Sequence, residues 1–443
     1  LLYLKAAWPP DQWLITLRTF IRSIWRQFVG GSRFPFPTPG EPVLDTYHRL
    51  RQAGPVVPIE LPGGVEAWAV NTYAAAADVF ARDNKAFSRD PRHWTALQDG
   101  SVPADWPMRP LVSGDHLQVK EGADHRRLRG LIARAFTAAR VEALAPRIEA
   151  RTAELIENVA AAGDGVDLVP AFNEPLPMSV ICELYGVPVP DRAPLRGWTT
   201  TLVSQTSTGE QAAAAQEALG AYLASLVDMK RREPGDDLTT GLVRAHDEED
   251  RLSDGELVSA LWIMLIAGHE TTVHLLGNAI VALCAHPDQR ALAISEDLWP
   301  EVVEETLRYR NSVVGSPFRY TVTDATVEGV DIPAGEAIWL SYAHLGTDPD
   351  RYGDDAGRFD ITREQTGHLS FGHGPHFCIG APLARLEARI ALATLFGRFP
   401  DLSLAIGPDA IPYTPAAITY GPLSLPVNLG EERSAERRIP EPA

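Results

Sequence analysis

The sequence predicts a mainly α fold with a minor β-sheet region, organised around one long buried helix. Ser253-Asp254-Gly255-Glu256 is a Ser-x-x-Glu capping box, and the apolar-rich run behind it continues to His286-Pro287, where proline stops a helix. At 1.5 Å per residue that helix is roughly 45–50 Å long, enough to cross a whole domain. Strand signals are short and fall in two clusters among many helical runs.

Taken in order, residues 1–33 read as an N-terminal extension. Trp13, Leu17, Phe20, Ile21, Ile24 and Phe28 recur at helical spacing beside Arg18, Arg22 and Arg26, which makes a basic amphipathic helix. Packing on the body or a partner is placed slightly ahead of a weak membrane-surface contact through 11–29. A third reading, since no Met opens the sequence, is an artefact of the start site. No signal peptide is expected, because a continuous apolar stretch and a small-residue cleavage site are both missing.

Residues 34–430 read as a single domain, with no Gly/Ser-rich linker or repeat between them. Strands are expected at Val56 to Leu61 and Ala67 to Val70. Helices are expected over roughly Ala123 to Ala138, Val141 to Ala161 and Glu210 to Arg232, then along the long central run. A helix from about Pro300 to Arg310 precedes a strand at Phe318 to Thr323, a turn over Asp331 to Glu336, and a strand at Ala337 to Ser341. A last helix covers Pro382 to Phe396, ahead of Pro400. The tail 431–443 is charged and expected to fray.

Composition removes several function classes. There are 40 Lys and Arg against 58 Asp and Glu, a formal charge of −18, so no nucleic-acid partner is expected. No apolar stretch is long enough to span a bilayer, and a cytoplasmic protein is expected. The three cysteines, Cys182, Cys284 and Cys378, are far apart and odd in number, which excludes a disulfide framework and any Cys-x-x-Cys zinc module. No Gly-x-Ser-x-Gly elbow points to a serine hydrolase.

The most informative stretch runs from Phe371 to Arg385. Gly372, Gly374 and Pro375 describe a tight loop before Cys378, and a helix opens soon after Gly380 with Pro382 in its first turn. The helix dipole and free N–H groups there are expected to lower the thiol pKa and favour the metal-ligating thiolate. One sulfur with no second cysteine nearby points away from zinc and toward haem iron. Cys182 and Cys284 read as small buried hydrophobes. On the central helix, Ala267-Gly268-His269-Glu270-Thr271-Thr272 puts an acid and hydroxyls amid apolar residues, a costly placement without partners or a task. Gly268 lets a ligand approach, and a hydroxyl there can bond a small polar molecule or the i−4 carbonyl. Glu305-Thr306-Leu307-Arg308 holds an i,i+3 ion pair that alone is weak evidence.

The cysteine loop resembles the signature of cytochrome P450, the haem-thiolate monooxygenases: Phe371, Gly374, Cys378 and Gly380 match Phe-x-x-Gly-x-x-x-Cys-x-Gly. The likeness covers roughly Phe34 to Gly430. The phrases Ala104-Asp105-Trp106-Pro107 and Gly122 to Arg129 look most like a soluble actinobacterial subgroup acting on steroid- or polyketide-like compounds. The resemblance implies a P450 fold with the long helix over the haem, and Cys378 as iron ligand to haem b. Phe371 packs beside the sulfur, Gly380 follows it, and Ala267 and Gly268 border the oxygen groove. Thr271 steers a proton to the oxygen being reduced, and Glu270 feeds protons from solvent. His269 is structural or at the pocket rim. His125, Arg129, Arg319, His368 and His376 meet the haem carboxylates. Glu305, Arg308 and Arg358 form a buried structural triad.

The substrate pocket is expected to draw on Trp94, Trp106, Met108, Leu111, Val203, Ala267, Gly268, Val313, Val314 and Ile418, which suits a hydrophobic small molecule. O2 is the co-substrate. Electrons come from a ferredoxin, with its reductase and NAD(P)H, docking near Arg126, Arg127, Arg129 and Arg134. One departure from the family pattern is Gly346-Thr347-Asp348 where bacterial members usually carry Asn-Arg-Asp. A sensor without turnover is disfavoured by the intact acid–alcohol pair, as is a peroxide-driven variant.

Overall fold

The computed structural model describes residues 33–37, 41–106, 108–112, 116–134, 136–203, 208–247, 252–364 and 367–432. The basic segment 11–29 and the tail beyond 432 lie outside the described residues. The central helix spans Asp254–Ala285, 32 residues, or about 48 Å. Its capping box is formed: the Ser253 hydroxyl accepts from Glu256 N–H at 3.1 Å, and the Glu256 carboxylate accepts from Ser253 N–H at 2.9 Å. From Thr272 to Leu283 every residue is buried, as expected of a helix apolar on all sides.

Helices Gly209–Arg232, Trp299–Tyr309 and Ala381–Arg398 fall close to their expected positions. The first basic helix is shorter than expected, Gly122–Ala133, and the next begins later, at Ala145. Thr137 and Pro146 mark new helix starts there, which apolar periodicity does not register. Helices Val43–Ala53, Tyr73–Ala81, Pro175–Leu184, Arg192–Val203, Leu238–Asp247 and Pro287–Glu296 were not foreseen.

The two strand clusters make one sheet. Phe34–Pro35, Val56–Leu61, Val65–Val70, Ala337–Ser341, Gly315–Thr321 and Phe87–Ser88 lie side by side in that order. Val65–Val70 pairs in parallel with Ala337–Ser341 through Trp68–Ile338 and Val70–Leu340, so segments about 270 residues apart share a register. One apolar cluster joins the central helix to Ala381–Arg398, a second fills the bundle around Leu219, Leu223 and Leu265, and two more cover the sheet. The outcome places the cysteine loop and the middle of the central helix around a shared interior. Ile379, after the cysteine, and Ile266, before Ala267, pack on the same bundle core.

Candidate active site

The loop before the cysteine folds as the glycines dictate. Gly372 and Gly374 have φ of 72° and 75°, where a side chain is strained. Gly372 N–H bonds Leu369 O, Phe377 N–H bonds Gly374 O, and Cys378 N–H bonds Phe371 O at 2.9 Å. Gly380 then caps the helix Ala381–Arg398, with Pro382 in its first turn. Cys378 keeps an accessible face although protein atoms crowd around its thiol, as at the floor of a concavity, and backbone N–H groups of Gly380 and Ala381 point at its sulfur. The expected lowering of the thiol pKa does not hold. Burial by surrounding protein pushes it up, more than the Gly380 N–H, Arg129, the Ala381 N–H and Arg385 pull it down. A bound metal cation reverses that balance, since a coordinating thiol is deprotonated.

A cationic cluster lies beside the sulfur. Arg129 feels Cys378 directly. The rings of His125 and His376 lie 4.1 Å apart between centroids, tilted by 44°. Arg319, fully buried, grips Asp83 with two bonds of 2.5 and 2.8 Å and lies over the Phe80 ring. Burial, then Arg129, Arg89 and Arg126, lowers the His125 pKa to about 4. Burial, then Arg89, His125, Arg319 and Arg129, drives His376 far below the imidazole range. Arg89, not foreseen as a site residue, is pulled down to about 10 by burial and then by Arg319. Its backbone N–H is held by Glu121 at 2.6 Å. Four buried nitrogens of this cluster have no hydrogen-bond partner: His125 Nε2, His376 Nε2, Arg319 Nη1 and Arg89 Nε. Buried donors require acceptors, and so many in one place, two of them on guanidinium groups, fit the two carboxylates of a haem beside a cysteine ligand.

His368 is not among them, a correction to the sequence reading. Its Nε2 meets Glu304 at 3.1 Å, and Glu304 also accepts from Arg385, so His368 is tied to an ion pair beside Phe371. Phe371 lies beneath Arg385, 4.6 Å from the guanidinium to the ring centroid.

On the central helix Ala267 is exposed between buried Leu265 and His269. The Thr271 hydroxyl donates to Ala267 O at 2.7 Å, and Thr272 donates to Gly268 O at 3.0 Å. Gly268 faces Ile181, whose methyl lies 3.3 Å from where a Cβ would sit. Glu270 accepts from the Thr419 hydroxyl at 3.3 Å, a partner from the far C-terminal segment that no local pattern announces. His269 is structural, its Nε2–H donating to Glu174 O at 3.2 Å.

Glu305 and Arg308 form a buried pair with two bonds of 2.7 Å. The third member differs from expectation. Arg358 is exposed, and its carbonyl, not its guanidinium, accepts from Arg308 at 2.8 Å. The second cation near Glu305 is Arg363, at 3.9 Å. Carbonyls of Gly346 and Ala356 take the remaining Arg308 donors. Gly346 is required, because a Cβ there would lie 1.8 Å from Arg308 O. Asp348, buried, accepts from Tyr73 N–H at 2.8 Å and Arg51 at 3.0 Å, so the departing Gly346-Thr347-Asp348 motif still anchors its segment.

Several pocket candidates are core instead. Trp94 stacks on Phe318 and Tyr320, and its neighbour Trp106 donates to Pro62 O, both beneath the sheet with Val314. Aromatic and β-branched residues read alike in a pocket or a core, so spacing alone did not separate them. Met108, Leu111, Val313 and Ile418 are only partly buried. Val203 ends the helix Arg192–Val203. Of the basic helix, Arg127 is tied to Glu256, whereas Arg126 and Arg134 are exposed.

Comparison with known proteins decides the family. The cytochrome P450 family model matches residues 297–404. Cytochrome P450 107B1 of Saccharopolyspora erythraea is 43% identical over 395 residues, 87% of this chain and 94% of the relative. This chain belongs to the cytochrome P450 family. The vitamin D(3) 25-hydroxylase of Pseudonocardia autotrophica is 41% identical over 87% of this P450 and 93% of its own length. The solved structure described as "Testerone bound CYP154C4 from Streptomyces sp. ATCC 11861" superposes with a TM-score of 0.86 at 39% identity, covering 91% of this chain and all of that one. The P450 is therefore a haem-iron monooxygenase that uses O2 and electrons from a redox partner to oxidise a hydrophobic small molecule. Among the described residues no helix is long and apolar enough to cross a membrane.

Proposed function

We propose that this P450 hydroxylates a steroid- or polyketide-sized apolar metabolite in the cytoplasm, using haem b ligated by Cys378 and a ferredoxin with its reductase and NAD(P)H. The observation that carries the reading is the set of four unpartnered buried nitrogens on His125, His376, Arg319 and Arg89, close to one cysteine. Those side chains and Arg129 would hold the haem carboxylates, where low local dielectric strengthens each charge-assisted bond. The haem, when bound, supplies the iron chemistry that cleaves O2 and places one oxygen atom on the substrate. Gly380 and Ala381 N–H groups and Arg129 temper the charge on the Cys378 sulfur. Glu270 holds a proton at its carboxylate and passes it to the Thr271 hydroxyl, which can turn from Ala267 O toward the reacting oxygen. Exposed Ala267 leaves room at that point, while Gly268 lets Ile181 pack close against the helix, and Leu111, Val313 and Ile418 supply an apolar wall. Residues 34–430 act as one domain, because one sheet pairs strands within 34–88 with strands within 315–341 and another pairs 166–167 with the C-terminal strand 426–428. Exposed Arg126 and Arg134 offer an acidic ferredoxin its contact, and any membrane contact falls to 11–29.

The test is the carbon-monoxide difference spectrum of the reduced protein, expected at the thiolate position and abolished in Cys378→Ala. A spin-shift screen across steroids, macrolides and aromatic compounds then assigns the substrate class. A thiolate band that survives Cys378→Ala overturns the ligand assignment, and shifts only with aromatic compounds overturn the substrate class.

A further inference from the structure

Beyond Glu270 the central helix carries buried polar groups that the reaction described so far does not use. His274 lies one turn on, 4% exposed, with its Nε2 3.5 Å from Glu270 Oε1, an ion-pair distance longer than a hydrogen bond. Neither ring nitrogen has a hydrogen-bond partner. Gly421 packs against the ring so closely that a Cβ there would sit 2.3 Å from Nδ1, which fixes the imidazole in place. Next comes Asn173, wholly buried at the end of the π-helical turn Val169–Asn173, with neither amide atom partnered. Gly277 brings the helix backbone up to it, a Cβ there lying 3.4 Å from Asn173 Nδ2. Asn278 donates to Tyr420 O at 2.9 Å and Arg310 O at 3.3 Å, while its Oδ1 is unpartnered. Unpaired buried polar atoms are costly, and ordered water is the partner of matching size and chemistry.

We infer that His274 recharges Glu270 with protons, which reach it along a hydrated seam between the central helix, the turn 169–173 and the C-terminal segment 414–421. The seam opens at half-buried Glu174. That carboxyl is raised by burial first, lowered by Arg196, raised by Asp167 and lowered by His274, so the two groups sense one another. The charged groups facing His274 are Glu270 and His269 on its own helix and Glu174 from the turn. In each step the imidazole gives one proton to the Glu270 carboxylate and takes one from seam water, which regains a proton from solvent at the Glu174 end of the seam, so no charge is left behind. His274 is thus a positioning and relay residue acting through Glu270, and the inference rests on the proton role proposed for Glu270 and Thr271.

The experiment needs no known substrate. The holoenzyme, driven by NADPH through a plant-type ferredoxin and its reductase, reduces O2 either to peroxide, one NADPH per O2, or to water, two NADPH per O2. The peroxide route takes up two protons per O2 and the water route four, so the second depends more heavily on proton delivery. His274→Leu, His274→Gln and Asn173→Leu are each expected to move the ratio toward one, at least doubling the peroxide fraction. They are also expected to enlarge the solvent deuterium isotope effect, leave the carbon-monoxide band unchanged, and add nothing to Glu270→Gln. Wild-type ratios and isotope effects in all three variants, with Glu270→Gln still shifted, overturn the seam while the Glu270 assignment stands. An unshifted Glu270→Gln overturns both. Should His274→Leu lose haem, His274→Gln and Asn173→Leu still decide the matter.

Discussion

The sharpest test of the proximal architecture is a comparison of three substitutions around Arg308. All five guanidinium donors are engaged: two on the Glu305 carboxylate and three on the carbonyls of Gly346, Ala356 and Arg358. Glu305→Gln removes one charge of a pair whose side chains are each 5% exposed. Removing one partner of a buried ion pair costs about 3–5 kcal/mol. At 1.36 kcal/mol per decade this is a roughly 150- to 5,000-fold loss in the folded-to-unfolded ratio. Arg358→Ala leaves its carbonyl in place and removes only an exposed side chain, so it should cost under about 0.5 kcal/mol. Arg363→Gln gives up a contact of 3.9 Å to Glu305 and an ion pair with half-exposed Asp355, so its cost should stay below about 1 kcal/mol. Guanidinium unfolding followed by tryptophan fluorescence, with the Soret band read in parallel, gives the three values. An Arg358→Ala cost matching that of Glu305→Gln would show that the Arg358 side chain is the third charge after all, and the arrangement derived above would be wrong.

Four other outcomes are expected. Thr271→Ala should raise the share of electrons lost as peroxide, by NADPH and peroxide assay, while the haem spectrum stays normal. Arg89→Gln removes a charged donor worth about 1.5–3 kcal/mol, so haem transfer to an apomyoglobin acceptor should speed up by about 10- to 150-fold; an unchanged rate removes Arg89 from the haem site. Burial raises the Glu304 pKa, but the bonds from Arg385 and His368 outweigh it and hold the group at about 2. Its stabilising contribution is therefore complete above the ordinary carboxyl range and lost as pH falls toward 2, so Glu304→Gln should flatten the acid limb of the stability profile in that window. Gly346→Ala forces a methyl into Arg308 O and should be among the most destabilising single changes in the chain, seen as lost expression or a large fall in melting temperature.

Much of this was legible in sequence because local chemistry determines it. A capping box at one end and His-Pro at the other set the central helix to within a residue. The glycine spacing around Cys378 forces its loop whatever packs around it. Cys378, Glu270, Thr271, Glu305 and Arg308 all carry their signal within a few neighbours. What failed to show needed partners from elsewhere. The pairing of Val65–Val70 with Ala337–Ser341 depends on chain closure over about 270 residues. Arg89 looks like any surface arginine until Arg319 and His376 are brought beside it.

The same physics explains the particular errors at Arg358 and His368. Each is a basic residue near a carboxylate or near the cysteine in sequence, and proximity makes either a plausible ligand. A guanidinium or imidazole goes where a buried acid would otherwise be left unpaired, and that demand is set by the fold. Glu304 claims both His368 and Arg385, so neither is left for a haem carboxylate. Glu305 is already satisfied by Arg308 and by Asp360 N–H at 2.8 Å, so Arg358 turns to solvent and lends only its carbonyl. The cationic cluster by Cys378 is the converse: Arg319 spends two of its donor nitrogens on Asp83 and still keeps Nη1 unpaired. The haem proposed for this site would supply with its carboxylates what the protein withholds there, and it is the surplus of donors, not the presence of basic residues, that sets this cluster apart from the pairs at Glu304 and Glu305.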